Sequence, residues 1–404
     1  MQSGNVERRG TQGRVLAWMC AVIFINQLGF GAIIPVLPLY ASSFEVSVSA
    51  IGATIAVFGG ARMLSAMPSG RVSDHIGRRP TLAFGGLVAV AGNLWSGYSD
   101  SFIEFLLARF VAGIGSGIVI TIGGVILADI STPERRGRMM ALYQGSFLFA
   151  VGVGPLPGGL LAEHFSLSTP FIANAFASLV VGLIAWFAVP ETRTMSAAHD
   201  EETSQRLQFA AQIRLMMSKV GFMLVCLIGF THAFVRTGGL FNVVPLVAST
   251  RMALGAGQIG SGFALGSLLG LLATYPAGMI ADRYGRKPLI VCAAMMTGVS
   301  FLGFWLAGDY LGFLIACSVW GIAAAVTGAA PSAYAADNAP MGMNAAAMST
   351  YRALTDAGYV VGPLALGLMG DLAGAGPTLV FCAAAIFVMA VAFWRYAPES
   401  YRRG

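Results

Sequence analysis

Long apolar runs separated by short polar turns dominate this chain, and it is the runs that set its architecture. About 20 consecutive apolar residues suffice to cross a bilayer as a helix. Twelve such runs are expected, over residues 15–40, 48–70, 80–98, 102–128, 139–162, 168–189, 219–249, 257–280, 288–307, 311–336, 343–370 and 376–396. One connection alone is long and polar, residues 190–218, which carries Asp200, Glu201 and Glu202. It divides the chain into a cytoplasmic N-terminus (1–14), a first six-helix bundle (15–189), the cytoplasmic linker (190–218), a second six-helix bundle (219–396) and a cytoplasmic tail (397–404). The expected fold class is an all-α membrane protein with 12 transmembrane helices.

Composition excludes the alternatives. Of the 404 residues 56% are hydrophobic and 10% charged, against roughly 25% charged in soluble domains. The net charge of +6 would suit nucleic acid, but the placement of the cations decides otherwise. With the N-terminus in the cytoplasm, Lys and Arg cluster in the cytoplasmic segments, while the outer loops hold only Arg251. That is the positive-inside pattern of a multi-pass protein with both termini cytoplasmic. The five cysteines all fall in apolar spans and read as packing thiols, with no disulfide or metal framework. Four scattered histidines form no acid–base or metal cluster, and no phosphate-binding Gly-rich loop ending in Lys-Ser/Thr occurs, so an enzyme is not expected. The N-terminus lacks a cleavable-signal pattern, and no Asn-x-Ser/Thr sequon is present, as suits a bacterial inner-membrane protein.

The two halves repeat one another. Gly70 to Pro80 reads G-R-V-S-D-H-I-G-R-R-P, and Gly278 to Pro288 reads G-M-I-A-D-R-Y-G-R-K-P. Each turns between two apolar spans, sets one carboxylate (Asp74, Asp282) among cations, and follows Gly77 or Gly285 with a basic pair and Pro. Asp74 and Asp282 lie 208 positions apart, as do Asp129 and Asp337, Pro155 and Pro363, Trp186 and Trp394, and Pro190 and Pro398. A constant offset across five landmarks is an internal duplication.

On these residues the chain resembles the major facilitator superfamily, and most closely its twelve-helix drug:proton antiporter branch. The two loops resemble the family's signature loop, and Arg109-Phe-Val-Ala-Gly113 its fourth-helix motif. Gly154-Pro155-Leu-Pro-Gly158-Gly159 resembles the fifth-helix motif of exporters, with Ala150 in place of the leading Gly; Gly31 to Pro38 resembles the first-helix motif. The resemblance implies two pseudo-symmetric six-helix bundles operating by alternating access. It also implies a conformational latch of Gly70, Asp74, Gly77, Arg78 and Asp129, with a second copy of Gly278, Asp282, Gly285 and Arg286 facing Asp337. In the family the loop aspartate caps helix eleven, here near Met343 to Ala347, and the arginine pairs with the acid ending helix four. The plainer reading is a permanently solvated basic loop.

Ionisable residues inside a span are costly and need a reason. Arg62, Arg109, His232, Arg236, Arg352 and Asp356 are the candidates, with Glu104 near a span end. Arg352 and Asp356 share a helix face, so Asp356 reads either as a proton carrier tuned by Arg352 or as half of a self-neutralised pair. The resemblance places Arg109 in the central cavity as a proton-coupling residue. The expected substrate cavity comprises Asn26, Gln27, Phe30, Arg109, Tyr143, Gln144, His232, Arg236 and Trp320. His232 by itself reads first as a satisfied core histidine, and most of the aromatic residues as ordinary packing. Many relatives of this branch carry an acid in helix one, where this chain has Asn26-Gln27-Leu28. The excess of embedded arginines over acids favours an anionic or polar neutral substrate.

The function expected is proton-coupled export of small amphipathic compounds by a monomer embedded in lipid, with the proton gradient as energy source and no cofactor. The alternatives are an uptake symporter for a small polar or anionic metabolite, and a lysolipid or lipid transporter.

Overall fold

The computed structural model describes residues 2–131, 133–193, 214, 216–327, 329–338 and 344–399. Among them every regular element is helical. The helices are α1 (Gln2–Ile33), α2 (Val48–Ile76), α3 (Arg78–Gly97), α4 (Phe102–Ile130), α5 (Arg138–His164) and α6 (Thr169–Phe187). Then come α7 (Val220–Arg251), α8 (Ala256–Tyr284), α9 (Arg286–Leu306), α10 (Tyr310–Asp337), α11 (Asn344–Ala373) and α12 (Ala375–Tyr396). Eleven are long and apolar enough to cross a membrane. The other, α3, has Arg78, Arg79 and Asn93 among its 20 residues and packs between α4 and α6.

The chain forms two compact units, residues 1–40 with 57–199, and residues 41–56 with 200–404. In the first, α1 packs on α5 and α6, and α3 on α4 and α6. The second repeats that pattern with α7 on α11 and α12, and α9 on α10 and α12. Each has its own apolar core, around Met19, Ile23, Ile122 and Val181 in the first and around Phe222, Val225, Ala294 and Phe393 in the second. Other large apolar side chains point outward, among them Met67, Phe187 and Leu372. A lipid solvent accepts such a surface where water would not.

The signature stretches differ from the expected loops. α2 runs on to Ile76 and α3 begins at Arg78, so Gly77 alone makes the turn, and Gly285 does the same between α8 and α9. Their φ angles of 103° and 92° lie in the region that side chains with a Cβ avoid. Pro80 sits in the first turn of α3, where its missing N–H costs nothing. Two further local features carry no hydropathy signal. α1 stops at Ile33, and a short helix Leu37–Ser42 resumes beyond Pro35. The middle of α7 is a nine-residue π-helix, Val235–Val243. π-Turns are rare and concentrate at functional positions.

Candidate functional site

In the first unit the turn at Gly77 gathers charge. Arg78 Nε donates to Asp129 Oδ2 at 3.1 Å, and its Nη1 donates to Ser73 Oγ at 2.7 Å and to the Asp74 carboxylate. The Arg78 and Asp129 side chains are 8% and 6% exposed, whereas Asp74 is 63% exposed. Thr192 Oγ1 donates a further bond to Asp129, 3.1 Å long. Arg78 and Asp129 are thus a buried, multiply bonded pair, with Asp74 at its solvated edge. Gly70 is an ordinary α2 residue with open space beside it. Met343, part of the cap expected for Asp74, lies outside the described residues.

The second unit repeats the arrangement. Arg286 pairs with Asp337 and donates to the Ala333 carbonyl at 2.8 Å, but the paired side chains are 26% and 31% exposed. The side chain of Asp282, and the surroundings of Gly278, lie outside what is described. The duplication also extends to pairs that were not expected. Arg79 stacks on Trp186 at 5.1 Å and Lys287 on Trp394 at 5.3 Å. Glu191 accepts the backbone N–H groups of Arg78 (2.9 Å) and Arg79 (3.2 Å), and Glu399 accepts those of Arg286 and Lys287 (both 3.3 Å). Each glutamate caps the start of the third helix of its half, where a carboxylate meets the positive end of the helix dipole. A Cβ at Gly77 would collide with the Glu191 carboxylate, which gives that glycine a second reason.

Burial alone would raise the Glu191 carboxyl. The N–H donors of Arg78, Arg193 and Arg79 and the Arg78 charge outweigh it and hold the group below its ordinary value of 4.5. A carboxylate depressed by folding stabilises the fold above its unfolded value and loses that contribution as pH falls through the folded one. The melting temperature of the solubilised protein is therefore expected to decline below about pH 4.5. Glu191→Gln is expected to flatten that decline, and an unchanged acid limb would contradict the cap.

Arg109, two turns into α4, is 1% exposed. Its guanidinium lies 4.3 Å over the Phe58 ring of α2 and 6.0 Å from that of Phe171 in α6. Phe30 of α1 stacks on the same Phe58 ring, centroid to centroid 5.4 Å. Asn26 and Gln27 are buried beside it in sequence, with Asn26 Nδ2 donating to Gln27 Oε1 at 2.9 Å. Tyr143 is buried against Gly123, and its hydroxyl has no hydrogen-bond partner among the described residues; Gln144 is exposed. In the fifth-helix motif Gly154 interrupts α5 and Pro155 restarts it. Gly154 and Gly158 bring α5 against the α1 backbone from Leu28 to Ala32; a Cβ at Gly154 would stand 2.6 Å from the Leu28 carbonyl. Gly159 is buried in the same segment. The motif is a close backbone contact between α5 and α1.

In the second unit His232 precedes the π-helix and Arg236 lies within it. His232 Nε2 is buried with no hydrogen-bond partner among the described residues, and Arg236 stacks on Phe241 at 5.4 Å. Trp320 of α10 packs near Gly266 of α8. Arg352 and Asp356 share a helix, yet no ion pair joins them among the described residues. Arg352 is exposed and Asp356 half-buried. One acid that the sequence reading passed over is Asp371, at the end of α11. It accepts the N–H groups of Val48 (2.6 Å) and Ser49 (3.0 Å), capping the start of α2. No His/Cys/Asp/Glu cluster suited to a metal ion occurs among the described residues.

The comparisons with known proteins agree with this architecture. The family model described as Major Facilitator Superfamily matches residues 19–272 and 225–404. The chain is 24% identical to multidrug resistance protein MdtL of Shewanella oneidensis, covering 78% of this chain and 80% of that protein. It is 23% identical to multidrug resistance protein 2 of Bacillus subtilis, covering 87% of each. Among solved structures, a bacterial homologue of the human lysosomal transporter Spinster superposes with a TM-score of 0.76 at 16% identity, over 95% of this chain and 96% of that one. A helical membrane scaffold with duplicated signature turns, matched along both halves by one family model, is a multi-pass transporter and not an enzyme: the chain belongs to the major facilitator superfamily and resembles its drug:proton antiporter branch.

Proposed function

We propose that this transporter is a proton-driven exporter of small amphipathic organic compounds in a bacterial inner membrane, working as a monomer with both termini cytoplasmic. The observation that carries the reading is Asp356. Its carboxylate makes no hydrogen bond or ion pair with any described residue. It lies about 18 Å along α11 from the helix start, in a core roughly 30 Å thick. Binding and release of a proton at this carboxylate, inside the span, supplies the coupling step. Arg352, one turn earlier on the same helix, is the cation that stands nearest to it in sequence. Arg109 supplies a fixed positive charge in the other half. The loop pairs Arg78–Asp129 and Arg286–Asp337 act as latches whose strength differs between the halves.

Direction and substrate rest on other features. The exporter-type motif at Gly154 to Gly159 and the multidrug resistance relatives support export of amphipathic compounds. Each proton entering down 100 mV releases about 2.3 kcal/mol, enough for roughly fifty-fold accumulation. A second reading, uptake of a small anionic metabolite with protons, is favoured by the excess of embedded arginines over acids and by the absence of an acid near Asn26.

Inverted vesicles loaded by respiration separate the two readings. A panel of fluorescent amphiphiles is expected to accumulate inside them and to leak out on adding a protonophore. Asp356→Asn is expected to lower that accumulation at least about tenfold, the effect of removing a coupling group worth about 1.4 kcal/mol. Accumulation that ignores the protonophore, or an Asp356→Asn protein at full rate, would overturn the proposal. Accumulation of small anions in right-side-out vesicles alone would favour uptake.

A further inference from the structure

A shallow, open apolar groove of about 510 Å³ lies on the surface of the second unit, lined by Trp305, Pro377, Val380, Phe381 and Ala384. Trp305 ends α9 and Pro377 begins α12, so the mouth of the groove lies at the end of the unit away from the Gly285 turn. From Pro377 to Ala384 it follows α12 for about 10 Å, parallel to the helix axis. A shallow apolar strip along a spanning helix offers one face to an acyl chain.

Its mouth is polar. Arg251, the last residue of α7, donates through Nη1 to the Trp305 carbonyl, which pins the guanidinium beside the residue that forms the groove's upper wall. Arg251 is exposed and makes no ion pair among the described residues. A guanidinium has five N–H donors, and this bond uses one. Asp309, the acid in the adjacent turn, accepts the Gly312 N–H at 2.8 Å. The indole of Trp305 lies over Gly376, where a Cβ would stand 3.2 Å from Nε1. That N–H donates to no described residue, and Trp305 is 39% exposed. Arg251 is also the one basic residue in its set of loops, a placement that the charge rule disfavours.

We propose that this groove and Arg251 form a binding site for one anionic phospholipid. The acyl chain lies along Val380, Phe381 and Ala384, the phosphate sits against the free edge of the Arg251 guanidinium, and the Trp305 N–H faces the ester region. The single unopposed cation selects an anionic head group over a zwitterionic one. The acyl chain contributes through the apolar surface it covers. Exchange against bulk lipid returns most of that, so selectivity rests on the head group.

Native mass spectrometry of the full chain, released from phosphatidylcholine nanodiscs containing a minority of phosphatidylglycerol, tests the site. One phosphatidylglycerol is expected to remain bound. Arg251→Gln is expected to cut its occupancy about fivefold, the factor given by about 1 kcal/mol for one cation near a membrane surface, with phosphatidylcholine unchanged. Ala384→Trp leaves Arg251 intact, fills the groove and is expected to cut occupancy as well. Phosphatidylglycerol retained equally by both variants would overturn the proposal. Displacement by glycerol phosphate as efficient as by whole lipid would also overturn it, since the groove would then contribute nothing.

Discussion

Arg78→Ala is expected to lower the apparent melting temperature of the detergent-solubilised protein by roughly 6–20 °C. Removing one partner of a buried ion pair costs about 3–5 kcal/mol, and each kcal/mol shifts a protein unit of this size by about 2–4 °C. The cost is high because Asp129, 6% exposed, would be left with the Thr192 hydroxyl as its remaining side-chain donor among the described residues. Asp74 would lose little, since it is 63% exposed and solvated already. The double change Arg78→Met with Asp129→Leu removes both charges and is expected to recover most of the lost stability. The second half supplies the control. Arg286 and Asp337 are 26% and 31% exposed, so Arg286→Ala is expected to cost about 1 kcal/mol or less. Thermal unfolding of the four proteins checks the series. Equal losses from Arg78→Ala and Arg286→Ala would mean that burial does not set the strength of these pairs.

The second large effect is expected at Arg109. A desolvated cation over an aromatic face is worth about 2 kcal/mol or more, which corresponds to roughly thirty-fold in rate if the charge acts in the transport cycle. Arg109→Ala is therefore expected to cut gradient-driven transport by at least tenfold. Arg109→Lys keeps the charge but loses the planar stack on Phe58, and is expected to fall between the two. Transport assays at matched protein levels, beside melting curves, separate function from packing. If Arg109→Ala melts early but transports at the wild-type rate per folded molecule, the residue serves packing alone.

Much of the scaffold was legible because a membrane leaves few options. The expected spans 102–128, 219–249 and 343–370 differ from α4, α7 and α11 by no more than about three residues at either end, the usual uncertainty of helix ends. The 208-residue offset reappears as matched contacts: Arg78 with Arg286, Arg79 with Lys287, Glu191 with Glu399. The glutamates were available to the same logic. Each follows a proline that marked the repeat, Pro190 or Pro398, but an acid just beyond a span reads as ordinary solvated polarity until its partner is seen.

Other features had no local signal. The cap of Asp371 joins residues 323 positions apart. The π-helix in α7 adds one residue to a turn without changing hydropathy, so periodicity is blind to it. The loops at Gly70 and Gly278 looked like turns because Gly and charge cluster there. In the folded chain a single positive-φ glycine suffices, and the flanking residues remain helical. That no ion pair joins Arg352 to Asp356 among the described residues was equally unreadable, since four-residue spacing permits a pair without compelling it.

Proton movement driven by substrate alone tests the central claim most directly. Proteoliposomes holding a pH-sensitive dye, with no imposed voltage or pH gradient, receive a transported amphiphile on one side. The account predicts proton flow opposite to the substrate, abolished by Asp356→Asn and by Arg109→Ala. Substrate entry with no change in internal pH, or with protons moving in the same direction as the substrate, would contradict it.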